Sequence, residues 1–143
     1  MLVSQILKHK GPAVYTCSPL ETVAAAAAVL HSRRVGALVV MDEQDRVVGI
    51  LSERDVVRVI AQQGNLGLTA PVSSCMTRDV VYAAPKETVA DLMERMTDRR
   101  IRHLPVCEGD RLVGIVSIGD LVKSKIAESE AEAQELKAYI AQG

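Results

Sequence analysis

Two short stretches carry side chains that could do chemistry. Gly114-Ile115-Val116-Ser117-Ile118-Gly119-Asp120 and Gly49-Ile50-Leu51-Ser52-Glu53-Arg54-Asp55 place Gly, Ile, Ser and Asp at the same offsets. In each, an aliphatic run reads as a buried strand and the Ser opens a helical run. A Ser followed three residues on by an acid is a capping-box pattern, here with Asp in place of the usual Glu. Such a corner gathers a hydroxyl, a carboxylate and the free N–H groups of a helix N-terminus. The N–H groups can take an anion, and the Asp can accept from paired hydroxyls such as those of a ribose. The same residues can also do no more than cap their own helix.

Other chemistries lack their residues. Cys17, Cys75 and Cys107 are far apart, with no Cys/His ligand spacing, so no metal site is expected. The chain has no Walker loop, no GxGxxG and no GxSxG, which argues against an enzyme. Asp55 and Asp120 do not read as one acid–base dyad, because their surroundings are copies of each other.

The copying is general. Pro19-Leu20-Glu21-Thr22-Val23 returns as Pro85-Lys86-Glu87-Thr88-Val89, and Arg34-Val35 as Arg100-Ile101, each 66 positions on. From Asp45-Arg46-Val47-Val48-Gly49 to Asp110-Arg111-Leu112-Val113-Gly114 the offset is 65, so one residue is lost in the loop after Met41. The chain is an internal duplication, and its two copies are expected to pack about a pseudo-two-fold axis.

The elements that must position the two corners follow from patterning. Val3 to Lys10 is a short lead-in ended by Gly11-Pro12. Val14 to Thr16 is a short strand. Ser18-Pro19 opens a helix through Arg33. Ala37 to Met41 and Arg46 to Leu51 form a hairpin around Asp42-Glu43-Gln44-Asp45, and Ser52 starts a helix to about Gln63. In the second copy, Val72 to Met76 repeats the lead-in, Val80 to Tyr82 is the short strand and Thr88 to Arg99 the helix. Arg102 to Cys107 and Leu112 to Val116 are the hairpin, and a last helix runs from near Ile118 through Ile140. Residues 1–63 are thus repeat 1, 64–71 a Gly/Pro-bounded linker, 72–126 repeat 2 and 127–143 a helical tail. The fold class is α/β, with two tandem β-α-β-β-α repeats and an extended C-terminal helix.

Composition narrows the partners. The 143 residues carry a net charge of −1 and only 2% aromatics, so neither a basic face nor a stacking platform for nucleic acid is expected. The most apolar run, Val23 to Leu30, falls far short of the roughly 20 residues a membrane span needs. Met1 to Lys8 lacks the layout of a signal peptide, and three scattered cysteines suit a reducing compartment, so the expected location is cytoplasmic.

The order, spacing and duplication of these motifs resemble a tandem pair of CBS domains, also called a Bateman module. The residues that carry the resemblance are Pro85 to Val89, Arg100-Ile101-Arg102-His103-Leu104-Pro105-Val106 and Gly114 to Asp120, with their first-repeat echoes. The resemblance implies a non-catalytic regulatory or energy-sensor module. It would bind adenosine-containing ligands in clefts between the repeats: AMP, ADP, ATP, NAD(H) or S-adenosylmethionine. Ser52 with Asp55, and Ser117 with Asp120, would hold phosphate and ribose. Arg102 and His103 would reach phosphates, while their first-repeat counterparts Gly36 and Ala37 offer no charge. Arg54, whose counterpart is Gly119, partly compensates. Thr16 and Tyr82 would line the adenine pocket. A homodimer and an unidentified regulated protein are the implied partners, with Val56, Ile60, Val122 and Ile126 as candidate dimer residues. The alternative is a structural dimerisation module that takes no ligand.

Overall fold

The fold is described from a computed structural model covering residues 1–11 and 13–142. The chain divides into two compact units, Ala13–Val81 and Met1–Pro12 with Tyr82–Gly143.

In the unit 13–81, strand β1 (Thr16–Cys17) runs parallel to β2 (Ala37–Met41), which pairs antiparallel with β3 (Val47–Ser52). Helix α2 (Val23–Arg33) joins β1 to β2, and α3 (Glu53–Gln63) follows β3. Residues Ala37 to Val40 are all buried. That explains why their pattern is a continuous apolar run and not an alternation. Leu38, Val40 and Leu51 from the sheet pack with Val23, Ala26 and Leu30 of α2 and with Val56 of α3.

Two expectations change here. Helix α2 begins at Val23 and not at Ser18-Pro19, because Thr22 is its N-cap and accepts from the Ala25 N–H at 3.1 Å. The carbonyls of Pro19 and Glu21 instead accept from Ser73 and Val72, at 3.0 and 2.7 Å, and so stay out of the helix. The expected linker also contains a helix, α4 (Asn65–Thr69). Gly67 lets it lie close to α3, since a Cβ there would sit 2.2 Å from Val59 Cγ1. A single 3₁₀ turn, Val72–Ser74, follows.

In the other unit, α1 (Val3–Lys10) precedes, and α5 (Val89–Arg99), β4 (His103–Glu108), β5 (Arg111–Ser117) and α6 (Ile118–Gln142) follow. β4 and β5 form an antiparallel hairpin with Gly109, at φ +62°, in its turn. Thr88 caps α5 as Thr22 caps α2, accepting from Asp91 N–H at 3.1 Å. The expected strand Val80 to Tyr82 is reduced to one parallel bridge, Ala83 to Val106. In the first repeat the extra bridge rests on Val39 N–H donating to Tyr15 O at 3.2 Å, and the counterpart of Val39 is Pro105, which has no N–H to donate; the Tyr82 carbonyl instead accepts from Arg95 Nη1 at 2.9 Å.

The compact units and the sequence repeats partition the chain differently. The lead-in α1 bonds to the second repeat: Val3 N–H donates to Glu87 O, Ser4 N–H to Pro85 O and Val89 N–H to Met1 O, at 2.9 to 3.0 Å. The first repeat receives the second lead-in through equivalent bonds, Val72 to Glu21, Ser73 to Pro19 and Val23 to Ala70. Each repeat therefore completes its unit with the other repeat's lead-in.

Candidate functional site

Both Ser-x-x-Asp stretches form the corners their patterns imply. Ser52 ends β3 and caps α3. Its hydroxyl accepts from Asp55 N–H at 3.3 Å, and its own N–H donates to Asp55 Oδ2 at 2.9 Å. Ser117 ends β5 and stands in the same relation to Asp120, at 3.1 and 2.9 Å. The strand exits also match. Glu53 N–H donates to Gly36 O at 3.0 Å, and Ile118 N–H to Arg102 O at 2.8 Å. The hairpin register sets Ala37 opposite Ser52 and His103 opposite Ser117. A titratable ring thus stands beside one corner and a methyl group beside the other.

The carboxylates are held by different cations. Asp55 is buried, at 4% exposure, and its Oδ1 accepts from Arg58 Nη2 at 2.7 Å. The same Arg58 nitrogen donates to Cys75 O at 3.2 Å, tying the corner to the second lead-in. Asp120 is more open and meets Lys10 of α1, whose Nζ lies 2.6 Å from Oδ2 and 2.8 Å from Ile115 O. Burial alone would push the Asp120 carboxyl up. The Lys10 hydrogen bond, the Ser117 N–H and the ammonium charge outweigh it and hold the carboxyl below its ordinary value.

The other expected residues are spread around the corners. Arg54 lies exposed in the first turn of α3, and Arg102 lies exposed just before β4. Thr16 is exposed on β1, opposite Val39, so β2 separates it from β3. Tyr82 is 42% exposed, and burial raises its phenol above the ordinary value, with Cys107 adding to the shift. The structure brings Ser52 to Asp55, and Ser117 to Asp120 and His103; Thr16 and Tyr82 hold equivalent places one strand away. Of the dimer candidates, Ile60, Val122 and Ile126 are exposed, but Val56 is only 8% exposed. Val56 is a core residue because it faces the sheet and packs in the cluster around Leu51.

Three cations were missing from the sequence reading. Arg58 follows Asp55 at helical spacing and could have been found from that. Lys10 meets Asp120 across 110 positions, which no local pattern signals. Arg95 pairs with Glu87 and lowers its carboxyl through that hydrogen bond. A groove of about 760 Å³ also opens between α2 and α3, lined by Ala27, Leu30, His31, Val35, Val56 and Val57 among others; it contains none of the nine expected site residues. Among the described residues, no group of three or more His, Cys, Asp or Glu could hold a metal ion, and no helix is long and apolar enough to cross a membrane.

Comparison with known proteins covers most of the chain. The CBS domain profile matches residues 3–62 and 72–126, which together are most of the chain. The CBS domain-containing protein CBSX3, mitochondrial, of Arabidopsis thaliana is 37% identical, over 99% of this chain and 72% of its own length. The crystal structure of the CBS-domain protein ATU1752 from Agrobacterium tumefaciens superposes with a TM-score of 0.85 at 44% identity, covering 87% of this chain and 92% of that one. The CBS domain pair of protein MJ0100, solved in complex with 5′-methylthioadenosine and S-adenosyl-L-methionine, matches at a TM-score of 0.80 and 26% identity, over 90% of this chain and 98% of that one.

Proposed function

Because the chain belongs to the CBS-domain family, whose pairs are regulatory modules, we propose that it is a non-catalytic sensor of adenosine-containing ligands. The observation that carries this reading is the pair of Ser-x-x-Asp corners, each with its carboxylate fixed at a helix N-terminus. Their chemistry suits a nucleoside: carboxylate for ribose hydroxyls, helix N–H groups for phosphate. The neighbouring MJ0100 pair, bound to two such adenosine compounds, supports the same class.

The corner at Ser117 and Asp120 is the stronger proposed site. Asp120 is the more open carboxylate, with His103 opposite Ser117 and Arg102 one residue before. Ser52, Arg54 and Asp55 form the weaker one, with Asp55 buried under Arg58. Thr16 and Tyr82 are the proposed adenine-side residues. AMP, ATP, NAD(H) and S-adenosylmethionine are the ligands to distinguish. The proposed output is a change in conformation or in a homodimer, carried by exposed apolar residues such as Ile60, Val122 and Ile126. A ligand biases such a change only through unequal affinity for the two states.

A thermal-shift panel with these ligands, after removal of any co-purified one, tests the reading. A ligand at 100 times its Kd adds about 2.7 kcal/mol per site, enough for several degrees in Tm. The expected result is a selective shift that Asp120→Ala abolishes and Asp55→Ala diminishes less. No shift with any ligand, and none co-purified, leaves the structural dimerisation module as the function.

A further inference from the structure

The second half of α6 stands in water on every side: residues 129–142 are all exposed. A helix of that length is marginal when isolated. Its own unit covers a different row of the helix. Leu121 is fully buried, the Ser124 hydroxyl donates to Met1 Sδ at 2.7 Å, and Glu128 lies 3.9 Å from the N-terminal amine.

A second row, roughly 110° round the helix at 100° per residue, is apolar for most of its length. Val122, Ile126, Ser129, Ala133, Leu136 and Ile140 follow one another at alternating steps of four and three. Val122, Ile126, Leu136 and Ile140 are 40%, 54%, 60% and 66% exposed, so none of the described residues covers this row. The steps are those of a heptad seam, and Ile126 and Ile140 at one seam position with Leu136 at the other favour two parallel strands.

The flanking charges choose the partner and its direction. Lys125 and Glu132 lie on one flank, Glu130 and Lys137 on the other. Two copies side by side, parallel and in register, set Lys125 against Glu130 of the second copy and Glu132 against Lys137 of the second copy. By symmetry each attraction occurs twice. The antiparallel arrangement sets Lys123 against Lys137, and Glu130 and Glu132 each against themselves. We propose that residues 122–140 form a parallel two-stranded coiled coil with the same segment of a second copy of this chain. This contact rests on the homodimer part of the reading above, through the same Val122 and Ile126, but it needs no nucleotide, so its failure and that of the ligand reading are distinguishable.

The test is oxidative cross-linking of the full chain carrying Ser129→Cys, with Ala127→Cys, on the opposite side of the helix, and the unsubstituted chain as references. A parallel seam brings both copies of position 129 together, so Ser129→Cys is expected to form a disulfide dimer about ten times faster than either reference. Equal rates overturn the proposal. In the Ser129→Cys background, Lys125→Glu with Lys137→Glu makes positions 125, 130, 132 and 137 all acidic, and Glu130→Lys with Glu132→Lys makes them all basic. Each set alone is expected to slow the reaction, and an equimolar mixture to restore it. A fold defect would not be rescued by mixing, and cross-linking indifferent to both sets overturns the proposed register.

Discussion

At Gly49 and Gly114 the same residue answers two different close approaches. A Cβ on Gly114 would lie 2.6 Å from Leu7 Cδ2, the end of a flexible side chain. A Cβ on Gly49 would meet Met76 Sδ at 2.6 Å and also Thr77 O at 3.0 Å. That carbonyl accepts from Ile50 N–H, so it cannot retreat without breaking the bridge. Gly49→Ala is therefore expected to cost about 1–3 kcal/mol in a denaturant melt, and Gly114→Ala less; the reverse order would refute the argument. Asp120 yields a pH dependence. Its carboxyl is lowered in the fold, so its contribution is complete above the unfolded value near about 3.9 and is lost as pH falls through the folded value. Lys10→Met should raise the pH of acid unfolding, by an effect of about 1 kcal/mol or less because the pair is partly exposed. Cys17, pushed up to about 11 by burial first and by Glu21 and Cys75 after it, is expected to resist alkylation at pH 8 in the native chain. Half-buried Cys75 and Cys107 should react first.

Among the elements, those ruled by local signals were legible in the sequence. Ser52 and Ser117 announce their helices, and the hairpins around Asp42–Asp45 and Gly109 follow from turn residues between apolar runs. The start of α2 was not legible, because Pro19 and Glu21 spend their carbonyls on Val72 and Ser73, some fifty positions away. Nor do Arg34 and Arg100 advertise the left-handed conformations, at φ 55° and 54°, with which they end α2 and α5. The same distance hid the cations of the site: Arg58 was within reach of helical spacing, Lys10 was not. The segment before α5 shows what tertiary bonds add. Arg95 holds both Glu87 and the Tyr82 carbonyl, while the side chain of Glu21, the counterpart of Glu87, accepts a long bond from Ser18 N–H. Arg95→Met is expected to speed amide exchange from Tyr82 to Ala84 and to lower Tm by a few degrees, leaving β1 unaffected.

For the whole molecule, the crossing of the lead-ins decides which pieces can stand alone. A fragment of residues 13–81 keeps Val72 and Met76 in the core around Leu38 and Leu51, whereas a fragment of residues 1–63 follows the repeat and loses both. The first is expected to melt cooperatively and the second to give no transition by circular dichroism. A transition in the second alone would mean that the repeat, not the compact unit, is the folding unit. The same crossing sets a timetable on the ribosome. Unit 13–81 is complete once Val81 has emerged, but α1, made before it, must wait through about 80 residues for Pro85 and Glu87 and through 110 for Asp120. At roughly 5–20 residues per second that is several seconds or more. Throughout it, Val3 and Ile6 have no core to enter. Residues 3–10, made before that unit, find their place after it, and it is there that the nascent chain is most exposed to chaperones and proteases.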